Sequence, residues 1–168
     1  MCDGISAEDF VEAVRTLVSI INYCIEDKNV QVYQSTLILL DEMLVQCEGK
    51  KLSKVEVTLL LSKTITDVIS KLTDSSHKVV DATELSLLAM AHSSCVDVTH
   101  IVNAATKKIR TVDLKGGRTI KARLQFIERL IAEFSDEIQH KRVLDFAKGQ
   151  CIESFCFNVC SMSHNACF

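Results

Sequence analysis

The chain has 168 residues, of which 48% are hydrophobic, so one sizeable core and a single main domain are expected. The formal net charge of −3 argues against a dedicated nucleic-acid-binding protein. No apolar run approaches the roughly 20 residues that a membrane-spanning helix needs, and the start does not resemble a signal peptide. Eight cysteines are then better explained as reduced thiols than as a disulfide framework. Together these features predict a soluble intracellular protein without a membrane or nucleic-acid partner.

Proline is absent from the sequence, although ordinary proteins contain roughly 5%. Because no proline can break a helix, only turns are expected to interrupt the helices, and the chain is predicted to be all-α. The five glycines fall where the apolar period lapses, so each is expected to mark a helix end or a turn. These glycines are Gly4, Gly49, Gly116, Gly117 and Gly149.

The first predicted hairpin consists of two amphipathic helices joined by a short polar break. Ser6 precedes two acidic residues and is a suitable N-cap, and the apolar stripe behind it ends near Glu26. Residues 27–29 form the break. A second stripe then runs from Val32 to about Gln46, and Gly49 is expected to close this helix.

A second hairpin occupies residues 52–91. Ser53 and Glu56 have capping-box spacing, which predicts a helix from there to about Thr73. A polar turn over residues 74–77 precedes another helix. Shifting the first hairpin by 47 residues superimposes it on the second, a weak internal repeat with a consistent frame. The matched pairs are Asp27 with Asp74, Val32 with Val79, Thr36 with Thr83, Ile38 with Leu85, and Leu40 with Leu87.

A third hairpin is predicted from Asp97, with a break at residues 113–117 and an amphipathic helix from Thr119 to Phe134 whose solvent face includes Arg123. A further helix should follow Ser135 and stop at Gly149. Hairpins that return every 40 to 47 residues are typical of HEAT or armadillo-type repeats. The prediction is an all-α solenoid of about three repeats over residues 1–153, followed by an irregular tail rich in Cys and Phe over residues 154–168.

Metal binding and catalysis have little support in the sequence. Five potential zinc ligands occur near the end of the chain, but without a Cys-x-x-Cys pair, so an apolar tail is the preferred interpretation over a zinc site. These residues are Cys151, Cys156, Cys160, His164 and Cys167. No phosphate-binding loop, His-Glu-x-x-His motif or nucleophile elbow is present, so no catalytic residue, metal or cofactor is predicted.

Scattered residues resemble the TOG domain family of the centrosomal protein of 104 kDa over roughly residues 10–152. The resemblance is carried by Lys51-Leu52-Ser53-Lys54, Glu56, Thr58, Lys63-Thr64, Asp74, Ala89-Met90-Ala91, Asp27-Lys28, Val32 and Leu37-Ile38-Leu39-Leu40. It implies an array of HEAT repeats that binds tubulin, in a protein of the cytoplasm and cytoskeleton found at centrosomes, centrioles and cilia. It also implies that Met1 falls inside the domain, so that the sequence is a truncated fragment.

In this family the turns within the repeats line up along one edge and face tubulin. The resemblance places these turns at residues 27–30, 74–78 and 115–118, and the family usually has an aromatic residue, often Trp, in the first turn, whereas this chain has no Trp. Basic side chains there would suit the acidic surface of tubulin. The candidate tubulin-binding residues are Lys28, Asn29, His77, Lys78, Lys115 and Arg118.

Two alternatives remain open for these residues. A run of basic residues such as that between Lys107 and Arg123 is often only a solvated surface. The alternative function is a general helical-repeat scaffold that holds a partner's peptide in its groove through apolar contacts. Other centrosomal or ciliary proteins are possible further partners.

Overall fold

Helices make up most of the chain in a computed structural model, which describes residues 6–109 and 114–149. The chain divides into two compact units, Met1–Ile101 and Val102–Phe168, and one helix, α6, spans the division. The helices are α1 (Ala7–Cys24), α2 (Val30–Gly49), α3 (Lys54–Leu60), α4 (Ser62–Ser70), α5 (His77–His92), α6 (Val98–Ala105), α7 (Leu114–Phe134) and α8 (residues 140–149), with a short 3₁₀ helix at Lys71–Thr73.

The first hairpin agrees with the sequence pattern at its start. Ser6 is the N-cap of α1, and its Oγ accepts a hydrogen bond from the backbone N–H of Asp9 at 3.1 Å. An acceptor at this position satisfies a backbone donor that the helix itself leaves unpaired. The apolar stripe of α1 is buried at Val14, Val18 and Ile21. The predicted cap and stripe are therefore confirmed.

The end of α2 differs from the prediction. The helix continues through Gly49, beyond the expected end at Gln46, and Lys51 has the positive φ of 54° that redirects the chain. The backbone N–H of Leu52 donates to the carbonyl of Cys47 at 3.1 Å across this bend. A left-handed residue just beyond a helix is usually glycine. Here Lys51 takes this conformation, which the sequence pattern did not predict, whereas Gly49 is the last residue of α2, as predicted.

The predicted continuous helix over residues 53–73 is broken into α3, α4 and the 3₁₀ turn. Leu61 has φ −84° and ψ 0°, outside the helical range, and its side chain is fully buried. Ser62 Oγ donates to the carbonyl of Thr58 at 3.2 Å, a type of bond that bends helices. The predicted capping box at Ser53 does not form, because its side chain makes no cap hydrogen bond and Glu56 accepts from Arg15 of α1 at 3.3 Å.

The two hairpins of the first unit pack helix against equivalent helix. The helices α1 and α4, which come first in their hairpins, contact each other. The second helices, α2 and α5, are also in contact. Thr64 Oγ1 donates to Asn22 Oδ1 at 2.7 Å between α4 and α1, and the hydroxyls of Tyr33 and Thr83 are 2.7 Å apart between α2 and α5. Because buried polar groups need partners, these bonds fix how the hairpins align within an apolar core.

The structure confirms the 47-residue repeat frame in detail. Thr36 Oγ1 donates to the carbonyl of Val32 at 2.8 Å, and Thr83 Oγ1 makes the equivalent bond to Val79 at 2.6 Å. The matched residues Leu40 and Leu87 are both fully buried, whereas Ile38 and Leu85 are both exposed. Three of the five matched pairs thus have the same environment, as expected of two repeats of one structural unit.

The second unit contains the last residues of α6, followed by α7 and α8. Apolar residues of α7 such as Phe126 and Leu130 are buried. Arg123, predicted to lie on the solvent face, is half-buried, and its Nη1 donates to the carbonyl of Lys107 at 3.1 Å. Arg142 Nε donates to Thr106 Oγ1 at 3.1 Å. These two arginines therefore form hydrogen bonds to the segment that follows α6. The last carbonyl groups of a helix have no partner within the helix itself.

The glycines of α7 also differ from the prediction. Gly116 and Gly117 lie within the first turns of α7, in the stretch where a break over residues 113–117 was expected. A glycine costs about 1 kcal/mol relative to alanine inside a helix, and burial of the apolar residues further along α7 offsets this cost. The single repeat domain over residues 1–153 stays a prediction, and the tail over residues 154–168 lies outside the described residues.

Candidate docking surface

The turn between α1 and α2, here called the first turn (residues 25–29), is held by its own polar side chains. Asp27 Oδ1 accepts from the backbone N–H of Asn29 at 2.7 Å, and Asn29 Oδ1 accepts from Gln31 N–H at 2.9 Å as the N-cap of α2. Asp and Asn favour turns because their short side chains bind nearby backbone donors. Lys28, between them, is exposed.

The turn before α5, here called the second turn (residues 74–76), has the same construction. Asp74 Oδ1 accepts from the backbone N–H of Ser76 at 2.9 Å, which is the bond that Asp27 makes 47 residues earlier. Ser76 is the N-cap residue, and its carbonyl accepts from Val79 and Val80. His77 and Lys78 begin α5 and are both exposed.

The two turns lie next to each other at one edge of the first unit. They line a common surface cavity of about 210 Å³, together with residues of α2, α5 and the 3₁₀ helix. Its lining residues are Asp27, Lys28, Val30, Tyr33, Lys71, Asp74, Ser75 and Val79. We call residues 27–29, 71 and 74–78 the turn edge. Of the sequence-predicted residues, Lys28 lines this cavity, and Asn29, His77 and Lys78 lie within two positions of a lining residue in the chain.

Lys71 belongs to this edge and Tyr33 lines its cavity, although the sequence pattern indicated neither residue. The Nζ atom of Lys71 lies 5.3 Å from the centroid of the Tyr33 ring, within the range of a cation–π interaction. Tyr33 is buried, and burial raises its pKa to about 12, so its hydroxyl stays protonated at neutral pH. The ring of Tyr33 thus lies beneath the ammonium group of Lys71. The only sequence signal for Lys71 was its position three residues before Asp74.

The turn edge carries three lysines and two aspartates, so it has a small excess of positive charge. Lys28, Lys71 and Lys78 form no ion pair among the residues that the structure describes, whereas Lys63, further along α4, pairs with Asp67 at 2.8 Å. The carboxylates of Asp27 and Asp74 each accept a backbone N–H of their own turn. This edge can therefore attract an acidic surface.

Lys115 and Arg118 are not in a turn. The backbone of Lys115 is in the first turn of α7, and Arg118 is exposed in the next turn of that helix. Both belong to the second unit, whereas the turn edge belongs to the first. Residues 110–113, before α7, lie outside the described part of the chain. The prediction that residues 115–118 form a turn is wrong, because α7 begins at Leu114.

The described residues contain neither a metal-binding cluster nor a membrane-spanning helix. Within residues 6–109 and 114–149, no group of three or more His, Cys, Asp or Glu side chains could hold a metal ion. The candidate zinc ligands from Cys151 to Cys167 lie outside these ranges. None of the helices described here is long and apolar enough to cross a membrane.

The comparisons with known proteins agree with this architecture. The family model "Centrosomal protein CEP104, TOG domain" matches residues 1–151. A structure titled "Structure of the TOG domain of human Cep104" is 22% identical, with a TM-score of 0.76, and the match covers 87% of this chain and 57% of that chain. A second, titled "CEP104 TOG domain", is 22% identical with a TM-score of 0.77 and coverage of 89% and 59%. No curated protein matches.

Paired helices stacked on equivalent helices, with their turns at a common edge, define a helical-repeat binding module of the HEAT class. Since the family model covers more than half of the chain, the chain belongs to the family described as Centrosomal protein CEP104, TOG domain. The predicted resemblance and the all-α, HEAT-like fold are both confirmed. The chain spans 57% and 59% of the lengths of the two solved chains.

Proposed function

We propose that this protein is a tubulin-binding module that docks through its turn edge. The observation that carries the proposal is the shared position of the first and second turns, which line one cavity with the same Asp-to-backbone bond in each. A row of equivalent turns offers a partner a repeated surface whose backbone is already fixed. Less conformational freedom is then lost on binding than with flexible loops. Membership of the TOG domain family supports tubulin as that partner.

The charges of the turn edge support a partner with an acidic surface. Lys28 and Lys78 are exposed on adjacent turns, and Lys71 lies over the Tyr33 ring. Exposed basic groups attract an acidic surface at long range and orient it as it docks, and this effect weakens as salt is added. The proposed contacts are Lys28, Asn29, His77 and Lys78, with Lys71 added. Lys115 and Arg118 remain candidates for a separate contact on α7.

We propose that the module acts in the cytoplasm and cytoskeleton, at centrosomes and centrioles and at the cilium. Other centrosomal or ciliary proteins are further partners in this proposal. Domains of this family are helical-repeat binding modules, and we propose that the chain has no catalytic activity. The family match and the arrangement of the turns support these assignments.

Gel filtration with unpolymerised tubulin at low and moderate salt tests the proposal. The wild-type chain is expected to co-elute with tubulin, and Lys28→Glu combined with Lys78→Glu is expected to abolish co-elution. Lys50→Glu combined with Lys54→Glu is the matched control, because both lysines are exposed at the opposite end of α2. The 20 residues of α2 separate the two sites by about 30 Å. Equal loss in both variants would show a general charge effect and contradict the proposal.

The pair Lys115→Glu and Arg118→Glu gives a second, independent test. Loss of co-elution in this variant would add the start of α7 to the contact surface. Unchanged co-elution would confine the contact to the turn edge. If the wild-type chain does not bind tubulin at either salt concentration, the proposed function fails.

A further inference from the structure

A second surface, built by helices rather than turns, lies along α2 and α5. The residues Ile38, Asp41, Val45 and Glu48 recur at helical spacing on one face of α2, and Leu85, Ala89 and His92 do so on α5. The two stripes line a common cavity of about 320 Å³ at the end that is nearer the C-termini of the helices. We call the surface formed by both stripes the α2–α5 groove.

Three contacts show that the two helices that form the groove are parallel. Tyr33 bonds Thr83, Asp41 Oδ1 accepts from Ser86 Oγ at 3.3 Å, and Glu48 Oε1 accepts from Ser93 Oγ at 2.8 Å. The residue numbers of the partners on α5 and just beyond it rise together with those on α2, so the two helices run in the same direction. The two stripes therefore face solvent side by side. The α2 stripe is about 15 Å long.

Large apolar side chains are exposed along this groove. Ile38 is 64% exposed, Val45 57% and Leu85 67%. Single exposed apolar residues are ordinary, but a set aligned on two adjacent helices marks an interaction surface. Their repeat positions strengthen this argument, since Ile38 and Leu85 are equivalent residues in the 47-residue frame and both point away from the core.

Acidic side chains accompany the apolar ones. The helix α2 carries Asp41, Glu42 and Glu48 and has no Lys or Arg. The carboxylate of Glu48 is held by Ser93 Oγ and by the backbone N–H of Ser94 at 2.7 Å, and these bonds lower its pKa, which keeps it ionised. Asp41 is fixed from α5 by Ser86. Fixed negative charges thus lie next to the exposed apolar residues, in contrast to the lysines of the turn edge.

We propose that the α2–α5 groove binds a basic amphipathic helix of a partner protein. The apolar face of such a helix would cover Ile38, Val45 and Leu85, and its Lys or Arg side chains would pair with Asp41 and Glu48. A groove between two parallel helices accepts the ridge of a third helix, which is a common mode of peptide recognition. This site is independent of the proposed tubulin contact.

A designed peptide provides a direct probe of the groove. The peptide has about 14 residues, long enough for the α2 stripe, with Leu at helical i, i+3, i+4 and i+7 spacing and Lys elsewhere. A matched peptide replaces every Lys with Glu. Binding to the full chain is measured by fluorescence anisotropy. The basic peptide is expected to bind at least about tenfold more tightly than the acidic one.

Two variants of the full chain test whether this binding occurs in the groove. Ile38→Lys combined with Leu85→Lys is expected to weaken binding of the basic peptide at least about tenfold. Val55→Lys combined with Leu59→Lys is the matched control, because Val55 and Leu59 are 69% and 65% exposed on α3 and outside the groove, and it should bind as the wild type does. All four substituted residues are exposed, so urea unfolding should show little change.

Several outcomes would overturn the proposal. Equal affinity for the two peptides would remove the role of the carboxylates, and unchanged binding by the groove variant would place the peptide elsewhere. If sedimentation shows a wild-type dimer that Ile38→Lys and Leu85→Lys convert to a monomer, a second copy of the chain occupies the groove. In that case the proposed partner helix is wrong.

Discussion

The turn edge and the α2–α5 groove belong to the same two hairpins but are constructed differently. At the turn edge, side chains such as Asp27 and Asp74 fix the backbone, and lysines project from it. In the groove, helical spacing aligns Ile38 and Val45, and carboxylates lie between them. One repeat frame thus produces two surfaces of opposite charge. The difference indicates that each surface suits a different partner, and that changes in one should not affect the other.

The largest expected effect concerns Tyr33, which joins the two hairpins beneath the turn edge. Tyr33→Ala should lower the free energy of unfolding by about 3–5 kcal/mol, because a large aromatic side chain leaves a cavity. Tyr33→Phe should cost only about 1 kcal/mol, since it loses the hydrogen bond to Thr83 and keeps the ring. Urea denaturation monitored by circular dichroism measures both.

Tyr23 provides the control for this prediction. It is the other tyrosine of the chain and is 83% exposed, so Tyr23→Ala should change stability by less than about 0.5 kcal/mol. Equal losses for the two alanine variants would show that Tyr33 does not link the hairpins as described.

A smaller effect is expected at Asn29, where the turn edge meets α2. Asn29→Ala removes the N-cap acceptor for Gln31 N–H and should cost about 1 kcal/mol. Asn29→Asp should retain stability, because aspartate caps equally well and its charge suits a helix N-terminus. The same aspartate should weaken tubulin binding, since it adds a negative charge to the proposed basic contact. A stability loss as large as that of alanine would contradict the cap.

A change of opposite sign is expected at Gly117, which tests where α7 begins. Gly117 lies inside α7, and a Cβ there would meet no atom within 4 Å. Gly117→Ala should therefore stabilise the protein by about 0.5–1 kcal/mol. Destabilisation would instead indicate a turn at residues 115–118, as the family resemblance implies. Thermal unfolding of the two proteins at equal concentration decides between these outcomes.

The two carboxylates of the groove should affect stability with opposite dependence on pH. Hydrogen bonds from Ser93 and Ser94 lower the pKa of Glu48 below 4.5, so its contribution is present above that pH and is lost as pH falls through the lowered value. Burial raises the pKa of Asp41 above 3.8, so ionised Asp41 disfavours the folded state, and this penalty disappears as pH falls through the raised value.

Urea denaturation from about pH 7 to about pH 3.5 can separate these contributions. The stability advantage of wild type over Glu48→Gln should shrink as pH falls. Relative to Asp41→Asn, the stability of the wild type should rise over the same range. Parallel trends for the two variants would contradict the different environments of the two carboxylates.

Much of the fold could be predicted because apolar spacing alone defines which helix faces are buried. The 47-residue shift found from Asp27 to Leu40 corresponds to matching bonds and matching burial in the structure. The break at Leu61 and the left-handed Lys51 could not be predicted in this way. Both depend on long-range packing, which overrides local preferences such as the capping-box spacing at Ser53.

The candidate site was predictable in its turns but not beyond them. Polar cap residues predict turns, so the turns next to Lys28 and Lys78 could be predicted, whereas the binding role of these lysines stays a prediction. Lys71 was missed because its position over Tyr33 depends on the contact between two repeats. Arg123 was assigned to solvent because the pattern of one helix does not reveal the carbonyl groups of its neighbour.

Tubulin affinity measured across single turn-edge variants tests the central claim most directly. The account predicts that Lys28→Glu and Lys78→Glu each weaken binding, that both effects decrease with added salt, and that Lys50→Glu combined with Lys54→Glu binds as the wild type does. A result in which only one of the two turn-edge variants has an effect, or in which the control loses as much affinity, would contradict a shared docking edge.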